Sequence, residues 1–314
     1  MKRIPSGRPK RIRRREDRMG RKTIKTKFIL SMVIFGSVGL FVTRIELPSL
    51  EIAFFRSLIG SLVIVMLSFL QGKRPDLQAM KRNRGLLMLS GTALGLNWIF
   101  LFEAYKRTSL SSATLAYYMS PVILIVLSAF VFRVRITSFK ALTILFSILG
   151  IMLILFGGEG FSTGGVRMYG ILSGLVAAVL YALVVVMNKM MERIGGIDRT
   201  MSELMISCLV LGTYLSLRGG LSLHMIKGDS LIALLILGVV HTGIAYYLYF
   251  SSLEHLDTHY VALFSYMDPM TAMVLAYVFL GEAVNFNMVV GALLILGSSF
   301  LFEAIGKKEN RISG

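Results

Sequence analysis

The chain is poor in cysteine, proline and charged residues. Its 314 residues include one cysteine, six prolines and 16% Asp, Glu, Lys and Arg. A single cysteine, Cys208, excludes a disulfide framework and a cysteine-based metal cluster. The four histidines do not form an HExxH motif, and no GxxxxGK[ST] loop occurs. We therefore expect no zinc site, no cofactor and no direct use of ATP.

Apolar residues dominate what is present. They make up 55% of the chain, and its mean hydropathy is +0.72. Runs of Leu, Ile, Val, Phe, Met and Ala are long enough to cross a bilayer, and they lack the alternation typical of a membrane barrel. The sequence predicts an all-α membrane protein. Ten transmembrane helices are expected, over residues 28–43, 50–71, 85–105, 112–132, 138–156, 169–191, 200–217, 230–250, 259–280 and 285–304.

The first 27 residues are strongly basic. They hold 13 of the 34 Lys and Arg residues of the chain, with almost no aromatic residue among them. This pattern indicates a disordered cytoplasmic arm, residues 1–27, that is attracted to anionic lipid. It does not favour a nucleic-acid partner.

The remaining basic residues predict the topology. If both termini are cytoplasmic, the cytoplasmic segments hold 27 of the 34 basic residues and the opposite loops hold six, while Arg56 falls inside a span. Cytoplasmic loops normally carry this excess. We therefore expect a multi-pass protein of the plasma membrane with both termini inside the cell.

Two prolines lie inside long apolar segments, and both follow the same dipeptide. Pro121 follows Tyr118-Met119 and Pro269 follows Tyr266-Met267, at a spacing of 148 residues. At this offset, residues 86–132 and 234–280 are identical at 11 of 47 positions. Discontinuous helices in matching positions of two repeats are the best sequence indication of a transporter binding site. The two prolines are predicted hinges.

The spacing also predicts the domain organisation. Residues 28–156 form one five-helix repeat, residues 169–304 form a second, and residues 305–314 form a cytoplasmic tail. Because five is odd, the second repeat starts on the opposite face of the membrane. The fold class is therefore ten transmembrane helices as two inverted five-helix repeats.

Several short motifs resemble the EamA family of the drug/metabolite transporter superfamily. They are Arg56, Asn97-Trp98 with Glu103-Ala104-Tyr105, the small-residue helix 112–120 before Pro121, Tyr181-Ala182, and the run from Pro269 to Leu280-Gly281-Glu282. The resemblance extends from Phe28 to Phe302. It implies export or exchange of small organic solutes such as amino acids and metabolites.

Two departures from the family pattern matter. The first repeat has Arg133-Val134 where the second has Gly281-Glu282. The first and sixth spans carry no acidic residue, so the coupling glutamate of the related small multidrug pumps has no counterpart.

Asp268 and His241 are the ionisable side chains predicted near mid-membrane. A buried charge is expensive there and usually marks a transport pathway. Histidine changes its charge near neutral pH, so a relay between the two is one hypothesis. The alternatives are that Asp268 caps a half-helix and that His241 bonds to a neighbouring carbonyl. Glu103, Glu203, Glu282 and Glu303 fall near span ends and are expected at the interface.

Polar and aromatic side chains of the spans are candidates for a substrate cavity. Besides the two ionisable residues, they are Asn97, Trp98, Tyr117, Tyr118, Tyr181, Tyr246 and Tyr266, which combine contact area with hydrogen-bonding groups. Each could instead serve helix packing. Glu51 and Arg56 are predicted to form a gate or an ion pair, and Arg56 could also grip a substrate carboxylate.

The function predicted from these patterns is secondary active transport of a small organic solute. We expect an exporter with alternating access to a midplane cavity, coupled to a proton gradient or to a counter-solute. A channel-like facilitator is the alternative, and a membrane-embedded enzyme is less favoured because only one aspartate lies deep in a span. The expected partners are a small-molecule substrate and the lipid bilayer. The sequence is compatible with a monomer or a homodimer.

Overall fold

A computed structural model describes residues 10–312 except 71, 73–74, 134–136, 157–163, 223–225, 227, 254 and 257. The described part is helical and contains no strand. Its α-helices are α1 Lys10–Gly36, α2 Val38–Val42, α3 Ser49–Leu70, α4 Leu77–Arg82, α5 Arg84–Arg107, α6 Leu110–Tyr117, α7 Ser120–Val131, α8 Ser138–Phe156, α9 Gly164–Met190, α10 Gly196–Leu217, α11 Gly228–Gly238, α12 Ala245–Leu253, α13 Thr258–Ser265, α14 Met267–Leu280 and α15 Phe286–Ile312. A π-helical turn, Val239–Ile244, joins α11 to α12.

Each predicted span coincides with one helix or with a helix that is interrupted. Seven helical segments of the described chain are long and apolar enough to cross a membrane. They are Lys22–Val42, Ser49–Leu70, Arg84–Arg107, Leu110–Val131, Gly165–Met190, Gly196–Leu217 and Gly228–Leu253. Ala141–Ile154, Met267–Leu280 and Phe286–Ser298 are shorter apolar helices. The chain is therefore an all-helical, multi-pass membrane protein.

The first helix differs from its predicted bounds. It begins at Lys10, so residues 10–27 are helical where the composition predicted disorder, and residues 1–9 lie outside the described part. Lys and Arg are good helix formers, and no proline interrupts the helix from Lys10 onward. At the other end of the chain, α15 continues to Ile312 through most of the predicted tail, 305–314.

The packing of the helices is duplicated. Helix α5 of the first half packs against α9 of the second half. The equivalent contact joins α12 of the second half to α1 of the first half. Likewise α6 and α7 pack against α9, whereas α13 and α14 pack against α1. Helices α8 and α15 pack against each other. This is the pattern expected when each half exchanges equivalent contacts with the other.

Small residues bring the helix backbones close together. A Cβ atom on Gly91 would lie 2.8 Å from the Cβ of Ile206, and one on Gly95 would lie 2.6 Å from the Oγ of Ser207. On α9, a Cβ atom on Gly170 would lie 2.9 Å from the Cβ of Thr108, and one on Gly174 would lie 3.0 Å from that of Ala116. The four-residue glycine spacings thus mark close helix contacts, as is typical of membrane bundles.

Candidate functional site

Two helices are interrupted immediately before a proline. Tyr118 and Met119 separate α6 from α7, and Tyr266 alone separates α13 from α14. Pro121 and Pro269 then lie in the first turn of the second half-helix, where a missing N–H is tolerated. The predicted break at each proline is confirmed.

The two interruptions meet inside the bundle. The Tyr118 hydroxyl lies next to the carboxylate of Asp268, and α6 packs against α14. A Cβ atom on Gly36 of α1 would collide with the carbonyl oxygen of Asp268, so only glycine permits this approach. Asp268 therefore connects the second interruption to the first interruption and to the first span.

Several tyrosines lie close together next to this contact. The ring of Tyr117 lies 5.6 Å from that of Tyr181 and 6.3 Å from that of Tyr118. Tyr181 also lies within electrostatic range of Tyr246 and Asp268, yet 40% of its surface is accessible. Tyr181 therefore has an accessible face close to the two interruptions.

Arg56 is a buried cation without a carboxylate partner. It is 4% exposed, its Cζ lies 4.2 Å from the ring centroid of Trp98, and its Nε donates to the Oγ1 of Thr242 at 2.9 Å. No ion pair of Arg56 is present among the described residues. Trp98 is therefore covered by the guanidinium and does not form an open wall of the predicted cavity.

Glu51 and Arg56 do not form an ion pair in the described residues, and their role as a gate stays a prediction. Glu51 is buried, and its Oε2 accepts a hydrogen bond of 3.1 Å from the backbone N–H of Ser222. Five helical residues place two side chains about 140° apart around the axis, so Glu51 and Arg56 cannot meet on α3. Glu51 instead ties α3 to the loop after α10.

Arg56 and Asp268 are the charged side chains near these tyrosines. Arg56 interacts electrostatically with Tyr105, Tyr117 and Tyr246, while Asp268 interacts with Tyr105. Tyr105 thus lies within electrostatic range of both the guanidinium and the carboxylate.

His241 does not form the predicted relay with Asp268. It is 2% exposed, and its ring nitrogens are hydrogen-bonded to the Oγ of Ser37 at 2.9 Å and to the carbonyl of Ile236 at 3.2 Å. The α1–α2 junction lies between the two residues, because Gly36 contacts Asp268 and Ser37 bonds to His241. The alternative, a packing histidine bonded to a nearby carbonyl, describes what is found.

Asn97 and Tyr266 take part in helix packing. Asn97 is fully buried, and its Nδ2 donates to the carbonyl of Ala177 at 2.6 Å, while its Oδ1 has no hydrogen-bond partner among the described residues. The Tyr266 ring lies 6.0 Å from that of Phe300 on α15.

Glu203 is a deep carboxylate that the sequence placed at the interface. It is 3% exposed and lies beside Ser90 and Asn188. Helix α10 begins at Gly196, four residues before the predicted start, and this places Glu203 two turns inside the helix. Gly195 and Gly196, which precede Asp198, could have indicated from the sequence that α10 begins earlier. In the described residues, no group of His, Cys, Asp and Glu is arranged to hold a metal ion.

A groove leads towards Arg56 from one end of the bundle. It is shallow, with a volume of about 10 Å³, is open to the outside, and lies between α3, α10 and α12. Tyr246 lines it together with Thr200 and Phe250, and Tyr246 is also one of the tyrosines near Arg56. The basic residues predict this end to be cytoplasmic.

The opposite end is held by Glu282. Its carboxylate accepts hydrogen bonds from the backbone N–H groups of Leu110 and Ser111, the latter at 3.1 Å, and from the hydroxyl of Ser111 at 2.7 Å. At the same end, Lys106 donates to the carbonyls of Ile45 and Leu47. Glu282 is thus a cap for α6 that is supplied by the other half of the chain.

Comparison with known proteins identifies similar transporters. The model of the EamA-like transporter family matches residues 26–156 and 168–303. A Bacillus subtilis protein named uncharacterized transporter YxxF is 29% identical over 281 residues, 89% of each chain. The uncharacterized inner membrane transporter YicL of Salmonella typhimurium is 23% identical over 293 residues, 90% of this chain and 96% of that protein. One solved crystal structure superposes with a TM-score of 0.62 at 18% identity and covers 92% of this chain and 98% of its own, which supports the fold alone.

Proposed function

The chain belongs to the EamA-like transporter family, and on this basis we propose that it is a secondary active exporter of a small organic solute of the amino acid or metabolite class. Ten spans form two inverted repeats in the plasma membrane, with both termini in the cytoplasm. The solute occupies the cavity between the repeats. Access alternates between the two sides of the membrane.

The meeting of the two interrupted helices is the observation that carries this proposal. Tyr118 at one interruption lies beside Asp268 at the other, next to the accessible face of Tyr181. Transporters built from repeats place discontinuous helices around a midplane site, because interrupted backbone is tolerated where it lines a cavity. Pro121 and Pro269 then serve as hinges, since neither can donate the hydrogen bond that would continue the helix.

Arg56 and Asp268 give the cavity its selectivity. A guanidinium without a carboxylate partner suits the carboxylate of a solute, which it can bind through two parallel hydrogen bonds. Asp268, which lies beside Tyr118, can accept from an amino group. Tyr117, Tyr181 and Tyr246 contact the apolar part of the solute. This arrangement supports the amino acid class within the broader group of metabolites.

Counterflow in proteoliposomes tests the transport function. Vesicles that contain the full chain are loaded with a pooled set of amino acids and metabolites, and the efflux of each solute is measured by mass spectrometry at two pH values. We expect one solute class to leave the vesicles, and to leave faster when the same solute is present outside. A facilitator without alternating access would show no such acceleration. Equal loss from protein-free vesicles would contradict the proposal.

Substitution of Arg56 tests the selectivity. Arg56→Lys keeps the charge but loses the planar, stacked guanidinium and its bond to Thr242, whereas Arg56→Gln also removes the charge. We expect efflux of carboxylated solutes to fall about tenfold for Arg56→Lys and further for Arg56→Gln, because each 1.4 kcal/mol of lost binding is a factor of ten. Unchanged relative rates across the solute pool would contradict the assignment.

A further inference from the structure

A second polar cluster lies apart from the cavity, where α5, α9 and α10 meet. Glu203 is its centre, with Ser90 from α5, Asn188 from α9 and Arg199 one turn earlier on α10. A Cβ atom on Gly91 would lie 2.9 Å from the carbonyl oxygen of Glu203, so the backbone of α5 lies directly against this turn. The carboxylate is thus enclosed by three helices within the membrane-spanning region.

Three buried polar atoms of the cluster have no hydrogen-bond partner among the described residues. They are the Oε1 of Glu203, the Oδ1 of Asn188 and the Nε of Arg199. Buried polar groups are almost always satisfied, and an exception usually indicates water or an ion that fills the space. The set consists of two acceptors and one donor. A water molecule matches it, because water accepts one hydrogen bond from Nε–H and donates one to each oxygen.

A proton on Glu203 would satisfy the two oxygen atoms of the set and leave the Nε of Arg199 to the water molecule. An isolated carboxylate in the membrane interior is costly, and it either pairs with a cation or takes up a proton. Arg199 acts on Glu203 through its charge but is not bonded to Oε1. The Oε1 of Glu203 is therefore free to receive a proton, and the resulting hydroxyl can donate to the Oδ1 of Asn188.

The charged and titratable groups near Glu203 come from several elements. They are Arg199 on α10 itself, Tyr181 on α9 and Tyr246 on α12. Ser90 and Asn188 are the neutral neighbours. Tyr181 and Tyr246 also belong to the cavity with Arg56, so a change of charge at Glu203 reaches the cavity walls. His241 is not among the interacting groups of Glu203.

We infer that Glu203 is a proton-binding site, held by Asn188 and Arg199, whose ligand is a single proton exchanged with the end of the bundle where the groove opens. The proton passes from water to the Oε1 of Glu203 and returns to water, and no other bond changes. The site couples solute movement to the proton gradient. The coupling role rests on the proposed transport function, whereas proton binding itself does not.

Infrared difference spectroscopy tests proton binding directly. Spectra of the full chain in proteoliposomes are recorded while the pH is stepped between about 5 and 8, a range in which an exposed glutamate stays ionised except at its lower limit. We expect the carbonyl band of a protonated carboxylic acid to appear and disappear with pH. The band should be lost in Glu203→Gln and displaced in Glu203→Asp. Glu192→Gln, an exposed glutamate at the same end, is the matched control and should leave the band unchanged.

A transport measurement then separates the two proposals. In the counterflow assay described above, we expect net efflux by the wild-type chain to depend on pH. In Glu203→Gln this pH dependence should be lost, while exchange of one solute molecule for another should be retained. A band that persists in Glu203→Gln when Asp268, the other deep carboxylate, is replaced by Asn in both chains, or net efflux of Glu203→Gln with the wild-type pH dependence, would overturn the proton site. Absence of any efflux from the wild type would overturn the transport function, and the infrared result would still decide whether Glu203 binds a proton.

Discussion

The half-helices that precede the two prolines are equivalent in sequence position but not in their surroundings. Helix α6, residues 110–117, is buried from Leu110 to Ala116 and packs against α5, α8, α9, α14 and α15. Helix α13, residues 258–265, packs mainly against α1 and α15. Its described side chains are only partly buried. Among the described residues, α6 is therefore in contact with five other helices, whereas α13 is in contact mainly with two.

One position differs between the repeats in a way that bears on this contrast. Glu282 follows the second interrupted helix and caps α6, whereas the residue at the same offset in the first repeat is Val134. Valine has no side-chain acceptor, so it cannot cap α13 in the same way. Val134 itself lies outside the described residues. We therefore predict that the end with α6 is the closed end and that α13 moves more easily.

The largest effect is expected from removal of the Glu282 cap. Hydrogen bonds to a charged group contribute about 1.5 to 3 kcal/mol each, and Glu282→Gln leaves a single neutral acceptor oxygen for three donors. The end with α6 should therefore open more often. In a Cys208→Ser background, Thr114→Cys on α6 reports this opening through its reaction with a membrane-impermeant thiol reagent. We expect the rate of labelling to rise at least tenfold, roughly the factor for 1.4 kcal/mol.

Glu46→Gln is the matched control for this variant. Glu46 is an exposed glutamate at the same end of the bundle. It should leave the labelling of Thr114→Cys unchanged. Equal labelling of Glu282→Gln and the parent chain would show that the cap does not hold this end closed, and the comparison of α6 with α13 would lose its mechanistic meaning.

A smaller effect is expected when the missing cap is supplied. Val134→Glu gives the first repeat the carboxylate that the second repeat carries, so α13 should become harder to move. We expect efflux of the transported solute to slow several-fold, as for one charged hydrogen bond of about 1.5 kcal/mol. Val134→Gln, which offers a neutral acceptor, should slow efflux less, and Val134→Leu should not slow it. Efflux of Val134→Glu at the rate of the parent chain would contradict the asymmetry.

Much of this architecture could be predicted from the sequence. Spans follow from apolar runs and breaks follow from proline, and both signals are local. The breaks at Pro121 and Pro269 were predicted correctly for this reason. The start of α1 was not predicted correctly, because a basic segment of the same composition can be either disordered or helical.

Side-chain partners were predicted less well because they depend on residues far along the chain. His241 is bonded to Ser37, 204 residues away, and Glu282 is bonded to Ser111, 171 residues away. A four-residue error at the start of α10 was enough to place buried Glu203 at the interface. The predicted cavity residues Tyr117, Tyr118 and Tyr181 are close together, and their role in binding remains a prediction.

The smallest effect is expected at Arg133 and Gly281, the residues immediately before Val134 and Glu282. Arg133 and Gly281 end the interrupted helices with left-handed backbones, at φ angles of 53° and 66°. This conformation is free of strain for glycine and costs other residues about 1 to 2 kcal/mol. Arg133→Gly should therefore stabilise the protein by about 1 kcal/mol, and Gly281→Ala should destabilise it by a similar amount. Thermal unfolding in detergent measures both changes. Arg133→Ala is the control, because it removes the charge but keeps the Cβ atom: if it stabilises as much as Arg133→Gly, the gain comes from charge and not from the backbone.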